Sequence, residues 1–293
     1  DAAGYATGPA AIGAIVGRNA NRIGGACVTI NGIDYKLAEN DGKNNLHSGP
    51  DVYQKRMWRV VENGDDHVTF LLHSPDGDQG YPGALDMKVT YTLDEENGLT
   101  IHYEAVPDQD TVINMTNHSY FNLNGHKSGS VLHHRMQLLS DAFTPADAQS
   151  IPTGEVCSVD GTPMDFRSTK ELGAEIDAAY EPLRLGNGYD HNWVLNAKGD
   201  ITRKAATLES PKTGIVLDVY TDEPGIQVYA GNFLDGSLTG KKGITYNQRA
   251  SVCLETQKYP DTPNKPEWPS AVLRPGETYN SHCIFKFSVD NGK

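Results

Sequence analysis

The chain has 293 residues, enough for a substantial core, and 38% of them are hydrophobic, above the range of disordered chains. Its formal net charge is −13 and its Lys and Arg form no cluster, which argues against nucleic acid and anionic membrane surfaces as partners. No apolar run approaches the roughly 20 residues of a membrane span, and small neutral or cationic ligands remain open.

The opening stretch DAAGYATGPAAIGAIVG lacks a basic region followed by a clean apolar segment, so no signal peptide is visible. The expectation is a cytoplasmic chain, while a start without Met leaves a processed or truncated front end, and with it the periplasm or secretion, open. Alternation with period two then recurs to the end. MWRVVENGDDHVTFLLHSP reads as two strands joined by a turn at Asn63-Gly64. MKVTYTLDEENGLTIHYEAVP repeats the design, with Val89, Tyr91 and Leu93 on one face and Leu99, Ile101, Tyr103 and Ala105 on the matching face of the next strand. HRMQLLSDAFTP, GIVLDVYTD, GIQVYAGNF, SVCLETQ and HCIFKFSV are further strands. The best helix signal is STKELGAEID, where Ser168 and Glu171 have capping-box spacing. The Pro-rich PDTPNKPEWP, residues 260–269, precedes a final strand and reads as a rigid loop. Many strands, frequent turns and almost no helix predict an all-β sandwich or barrel-like fold in one domain.

Five segments carry polar side chains that a half-buried sheet does not require. GRNANRIGG brings Arg18, Asn21 and Arg22; NNLHSG brings His47; TNHSYFN brings His118; GYDHNWVLN brings Asp190 and His191; SVCLETQKYP brings Glu255 and Gln257. Glu255 is the oddest, because it continues the apolar run Val252-Cys253-Leu254 and a buried carboxylate costs several kcal/mol unless it is paired or functional. Gln227 in GIQVYAGN raises the same question. Each has a plainer reading alone: a structural histidine, an Asx turn at YDHN, a solvated basic face at Arg18 and Arg22, a structural ion pair at Glu255. His133 and His134 are adjacent, so on a strand they point to opposite faces and make a poor metal pair. Cys27, Cys157, Cys253 and Cys283 are widely spaced with no CxxC and read as free or buried thiols.

In this order, GRNANRI, NNLHSG, NHSYFNLNG, GYDHNWVLN, GIQVYAGNFLDG, LETQKYPD and LRPGETY resemble the aldose 1-epimerase (galactose mutarotase) family. The resemblance runs from about residue 11 to the last strand. It implies a large antiparallel β-sandwich with an open cleft on one sheet. It also implies interconversion of the α and β anomers of free sugars such as galactose and glucose, without cofactor or metal. Glu255 aligns with the family's base and His118 with its acid. Near neutral pH the expectation is an ionised Glu255 and a His118 held protonated by a nearby carboxylate. Asn21, Arg22, His47, Asp190 and Gln227 align with residues that bind the sugar. Tyr120, Phe121, Trp193 or Trp268 would supply an aromatic face. Ser48 stands where the family often has glycine. Relatives carry further N-terminal strands ahead of GRNANRI, so the expectation is an open sheet edge met either by self-association, as in a homodimer, or by a neighbouring segment that covers the gap. The competing readings are a lectin-like carbohydrate-binding protein, an epimerase of hexose 6-phosphates, and a retaining glycosidase, which would need two carboxylates about 5–5.5 Å apart.

Overall fold

The alternating apolar residues of the sequence are the inward faces of two antiparallel sheets. The computed structural model describes residues 4–5, 8 and 11–290. The larger sheet has nine strands in the spatial order Lys170–Glu171, Arg135–Leu138, Lys204–Glu209, Ile215–Thr221, Tyr279–Val289, Gly98–Pro107, Leu85–Leu93, His67–Ser74 and Arg59–Asn63. The smaller has six: Tyr120–Phe121, Val252–Gln257, Gly225–Tyr229, Asp190–Val194, Ala142–Thr144 and Cys157–Ser158. Both sheets feed one core. Met87, Val89, Ile101, Tyr103, Leu217 and Phe285 enter it from the larger sheet, and Phe143, Trp193, Ile226, Val228 and Leu254 from the smaller.

A second, smaller cluster of Ile23, Val28, Ile30, Leu37, Tyr81 and Val112 anchors the N-terminal segment. Arg18, which the sequence allowed as a solvated basic residue, is instead buried at the edge of this cluster. Its guanidinium donates to the carbonyls of Pro82 (2.9 Å) and Gly83 (2.9 Å), to Thr111 Oγ1 (3.1 Å) and to Ser74 Oγ (2.7 Å). Burial lowers its pKa, against Tyr53 and the Asp78 carboxylate, which act to raise it. Arg18 fixes backbone and is sealed from ligand.

Two local expectations are overturned. STKELGAEID is not a helix: Lys170–Glu171 is an edge strand paired with Arg135–Met136, and the turn that follows packs Leu172 and Ile176 into the core. The pairing satisfies backbone groups that Ser168 and Glu171 would otherwise cap, and a short helix instead forms at Glu181–Leu185, with Pro182 in its first turn. YDHN is not an Asx turn, since Asp190–Val194 is a central strand paired on both sides. At the far edge of the larger sheet, Arg59–Asn63 is exposed along its whole length, with Val60 51% exposed. No helix among the described residues is long and apolar enough to cross a membrane.

Candidate active site

Strand parity decides what the smaller sheet shows to solvent. In register, Asp190 faces Tyr229, Asn192 faces Gln227, Gln227 faces Glu255, and Tyr229 faces Cys253. The residues between them, Trp193, Ile226, Val228 and Leu254, go to the core. One face of three neighbouring strands is therefore apolar. The other carries Asp190, Gln227, Tyr229, Cys253 and Glu255.

The strand Thr116–His118 crosses beside this face, held by the Thr116 hydroxyl donating to the Thr256 carbonyl at 2.8 Å. His118 Nε2 thereby comes to 3.6 Å from Glu255 Oε1, with Glu255 only 2% exposed. Glu255 Oε2 and His118 Nδ1 are buried without a hydrogen-bond partner from the protein. Over them opens a cleft of about 480 Å³, whose walls include Asn21, Arg22, His47, Lys55, Tyr120, Asp190, Tyr229 and Phe233.

The N-terminal segment supplies one wall. Asn21 (φ +60°) and His47 (φ +53°) both sit in the left-handed region, which brings the Asn21 N–H to His47 Nδ1 at 3.0 Å. An accepting Nδ1 leaves the proton of a neutral imidazole on Nε2. His47 is held neutral, its pKa well below the usual range because of burial, with the His118 ring and the Arg22 guanidinium adding to the effect. Ser48 also has positive φ (+54°), and its hydroxyl accepts the Asn19 N–H at 2.8 Å, which secures the conformation that glycine would adopt freely. Arg22 Nε is tied to Asp41 Oδ2 at 2.7 Å, which leaves its terminal nitrogens to the cleft.

Gln227 is placed differently from its neighbours. It shares the face of Asp190 and Glu255, on the strand between them, but is nearly buried, and its Nε2 donates to Asp190 Oδ1 at 2.7 Å. Of the four candidate aromatics only Tyr120 reaches the cleft. Phe121 packs on Phe285, Trp193 is buried in the core with its N–H on the Met164 carbonyl, and Trp268 packs on Tyr259. The sequence reading missed Tyr229 and Phe233, which stack 6.1 Å apart; Phe233 is 59% exposed at the rim. Parity with Asp190 and Glu255 was the available signal for Tyr229.

Burial works against the expected charge states. Burial pushes the Glu255 carboxyl well above the usual range, Asp190 adds to the rise, and Arg22 opposes it. Burial draws His118 down to about 4. Asp190 is raised by burial, against the Arg22 charge and the Gln227 amide. Desolvation therefore shifts both groups toward their neutral forms in the empty cleft, against the attraction between a protonated His118 and an ionised Glu255.

An imidazole and a carboxyl group 3.6 Å apart in a polar, open cleft on a large antiparallel β-sandwich make a site where an acid and a base could act on one small polar molecule. The comparisons narrow the class. The family model for aldose 1-epimerase matches residues 1–286. Galactose mutarotase of Bos taurus is 45% identical over 288 residues, covering 98% of this chain and 81% of the relative. Aldose 1-epimerase of Escherichia coli (strain K12) is 42% identical over 289 residues, covering 98% and 82%. Among solved structures, the GalM/aldose epimerase homologue of C. elegans superposes with a TM-score of 0.89 at 34% identity, covering 98% of this chain and 85% of that one. Galactose 1-epimerase of Lactobacillus acidophilus gives 0.87 at 29% identity, covering 99% and 84%. The chain belongs to the aldose 1-epimerase family, and its fold is the galactose mutarotase-like sandwich.

Proposed function

We propose that this epimerase opens and recloses the pyranose ring of a neutral free aldohexose such as galactose or glucose, with Glu255 and His118 as the proton-transfer pair. The observation that carries the reading is the 3.6 Å approach of His118 Nε2 to Glu255 Oε1 in the wall of the cleft. The two oxygens to be served, the C1 hydroxyl and the ring oxygen, share carbon C1. An acid and a base that act on them within hydrogen-bond reach must therefore stand a few ångströms apart.

Once the bound sugar has drawn the pair's proton onto His118, Glu255 takes the proton of the C1 hydroxyl while His118 delivers one to the ring oxygen. The C1–ring-oxygen bond breaks and the sugar becomes the open-chain aldehyde. Rotation about C1–C2 presents the other carbonyl face. Closure then runs with the roles exchanged: His118 removes the hydroxyl proton and Glu255 returns its proton to the new C1 oxygen. Opening leaves a protonated Glu255 and a neutral His118, the distribution that burial favours. One proton shared by the pair serves the whole cycle, because each half-reaction passes it back.

The remaining residues hold the sugar. Asp190 accepts hydroxyl protons, the His47 Nε2–H and the Arg22 terminal nitrogens donate, Asn21 does both, and Tyr120, Tyr229 and Phe233 offer ring faces to the C–H side. Gln227 acts one step back by orienting Asp190. A 6-phosphate is disfavoured: Arg18 is sealed, and the two cations of the cleft, Arg22 and Lys55, stand against three acids, Asp41, Asp190 and Glu255. Polarimetry on freshly dissolved α-galactose, α-glucose and glucose 6-phosphate tests this. The two free sugars should lose their excess rotation many times faster than the spontaneous rate and the phosphate should not. Decay at the spontaneous rate for all three would leave a binding protein.

A further inference from the structure

The mechanism leaves one reactive group beside the proton-transfer pair without a task. Cys253 lies two residues before Glu255 on the same strand face, fully buried, paired across the sheet with Tyr120 on one side and Tyr229 on the other. Its sulfur, one imidazole nitrogen of His118 and one carboxylate oxygen of Glu255 all lie within 4.8 Å of one another. In a tetrahedral zinc site with bonds of about 2.0–2.3 Å, such donors stand roughly 3.4–3.6 Å apart. The His118–Glu255 edge, at 3.6 Å, already has that spacing, so modest side-chain rotations would close the remaining edges.

The electrostatics favour a cation at this point. Two carboxyl groups, Asp190 and Glu255, are buried together, and Glu255 keeps one oxygen without a partner. Arg22 is the cation that bears on both, and it is shared with Asp41. A thiolate, a carboxylate and a neutral imidazole are a donor set for zinc and softer ions, and a poor one for magnesium or calcium.

We propose that Cys253, His118 and Glu255 form a three-ligand chelate for a thiophilic divalent cation of the zinc and cadmium class, and that its occupation switches the epimerase off. The inhibitory part rests on the roles given above to His118 and Glu255. Binding releases two protons, one from the thiol and one from the Glu255–His118 pair, and leaves a centre in which the metal's two positive charges are balanced by thiolate and carboxylate. Two of the three ligands, His118 and Glu255, line the cleft, and the fourth position is left to a ligand that enters from it. Neither proton-transfer group is then free to exchange, and the sugar's C1 end meets the ion instead.

The test uses the intact protein, stripped with chelator and titrated with Cd²⁺, with two readouts. The first is the thiolate-to-metal charge-transfer absorption of the Cd²⁺ form. The second is the polarimetric rate at several sugar concentrations. The expected result is an absorption band saturating with one ion per chain, inhibition that tracks the band, relief by excess sugar and by chelator, and no effect of Mg²⁺. Cys253→Ala should keep its metal-free activity, lose the band, and need at least about tenfold more Cd²⁺ for half-inhibition. Glu255→Gln, inactive but folded, should keep the band with weakened affinity. Absence of a band in the unmodified protein, or equal inhibition of Cys253→Ala, overturns the chelate. A saturating band with an undiminished rate would instead overturn the roles of His118 and Glu255 and leave the chelate standing.

Discussion

Gln227 is the residue whose role the structure changes most, and Gln227→Leu tests the change. The two side chains have nearly the same volume, so the substitution removes one interaction, the Nε2 donation to Asp190 Oδ1 at 2.7 Å. Hydrogen bonds to charged groups contribute about 1.5–3 kcal/mol. If that energy serves to hold Asp190 against the sugar, kcat/KM should fall by about ten- to a hundredfold, at 1.36 kcal/mol per tenfold. The loss should appear mainly as a raised KM, since the Glu255–His118 contact does not pass through Gln227. The sign of the pH effect follows as well. The amide bond lowers the Asp190 pKa against a burial that raises it. Without the amide, Asp190 becomes protonated at a higher pH, so the acidic limb of kcat/KM should move upward. Gln227→Glu, which places a third acid beside Asp190 and Glu255, should be worse than Gln227→Leu. The assay is coupled or polarimetric kinetics across pH, with far-UV circular dichroism to confirm folding. Wild-type KM and an unmoved acidic limb in Gln227→Leu would refute the positioning role.

Other outcomes follow from groups outside the proton-transfer pair. His191, buried on the core face, has its pKa drawn down to about 4 by burial, against 6.5 when unfolded. The unfolded chain therefore takes up a proton that the folded one refuses, and about 3 kcal/mol of stability present above pH 6.5 is lost as pH falls toward 4. Urea unfolding at pH 7, 6, 5 and 4 should show a shallower pH dependence for His191→Gln than for the unmodified chain; parallel curves would contradict it. Arg18→Met should cost more than about 3 kcal/mol, because Ser74, Thr111 and two carbonyls lose a buried donor. The rate per folded molecule should stay unchanged, and a specific loss of kcat would mean that Arg18 reaches the sugar after all. The nitrogen chemical shifts of His47 should report a neutral Nε2–H tautomer at pH 7, and a charged ring would refute the Asn21 contact.

Much of the fold was legible because strand alternation is local. Val89, Ile101, Tyr103 and Ala105 turn inward as their spacing requires, with Leu93 the exposed exception near the strand end. Parity even held information that went unused: Trp193 is out of phase with Asp190, so it had to face the core when Asp190 faced the cleft. The helix misreading at Ser168 and Glu171 has a different origin. Capping-box spacing reports a local preference, and pairing with Arg135–Met136 overrides it from more than thirty residues away. Gln227 shows the limit for the site. Its face could be read from alternation, but whether its amide meets the ligand or a neighbouring carboxylate depends on cross-strand geometry. The pKa shifts of Glu255 and His118 were illegible for a related reason: the sequence shows a possible partner, whereas the depth of burial that works against both charges belongs to the assembled sheet.

The most direct test of the central claim is a double-mutant cycle on Glu255→Gln and His118→Gln, read by polarimetry with α-galactose. Each single change should lower kcat by about 10²–10⁴-fold with the fold intact, and Glu255→Gln should unfold no more easily than the unmodified chain, because it removes a poorly partnered buried acid. The double variant should be little slower than the worse single, since the two groups pass one proton between them and neither works alone. Losses that multiply, or a single variant that keeps more than about a tenth of the rate, would mean that Glu255 and His118 do not act as one catalytic unit.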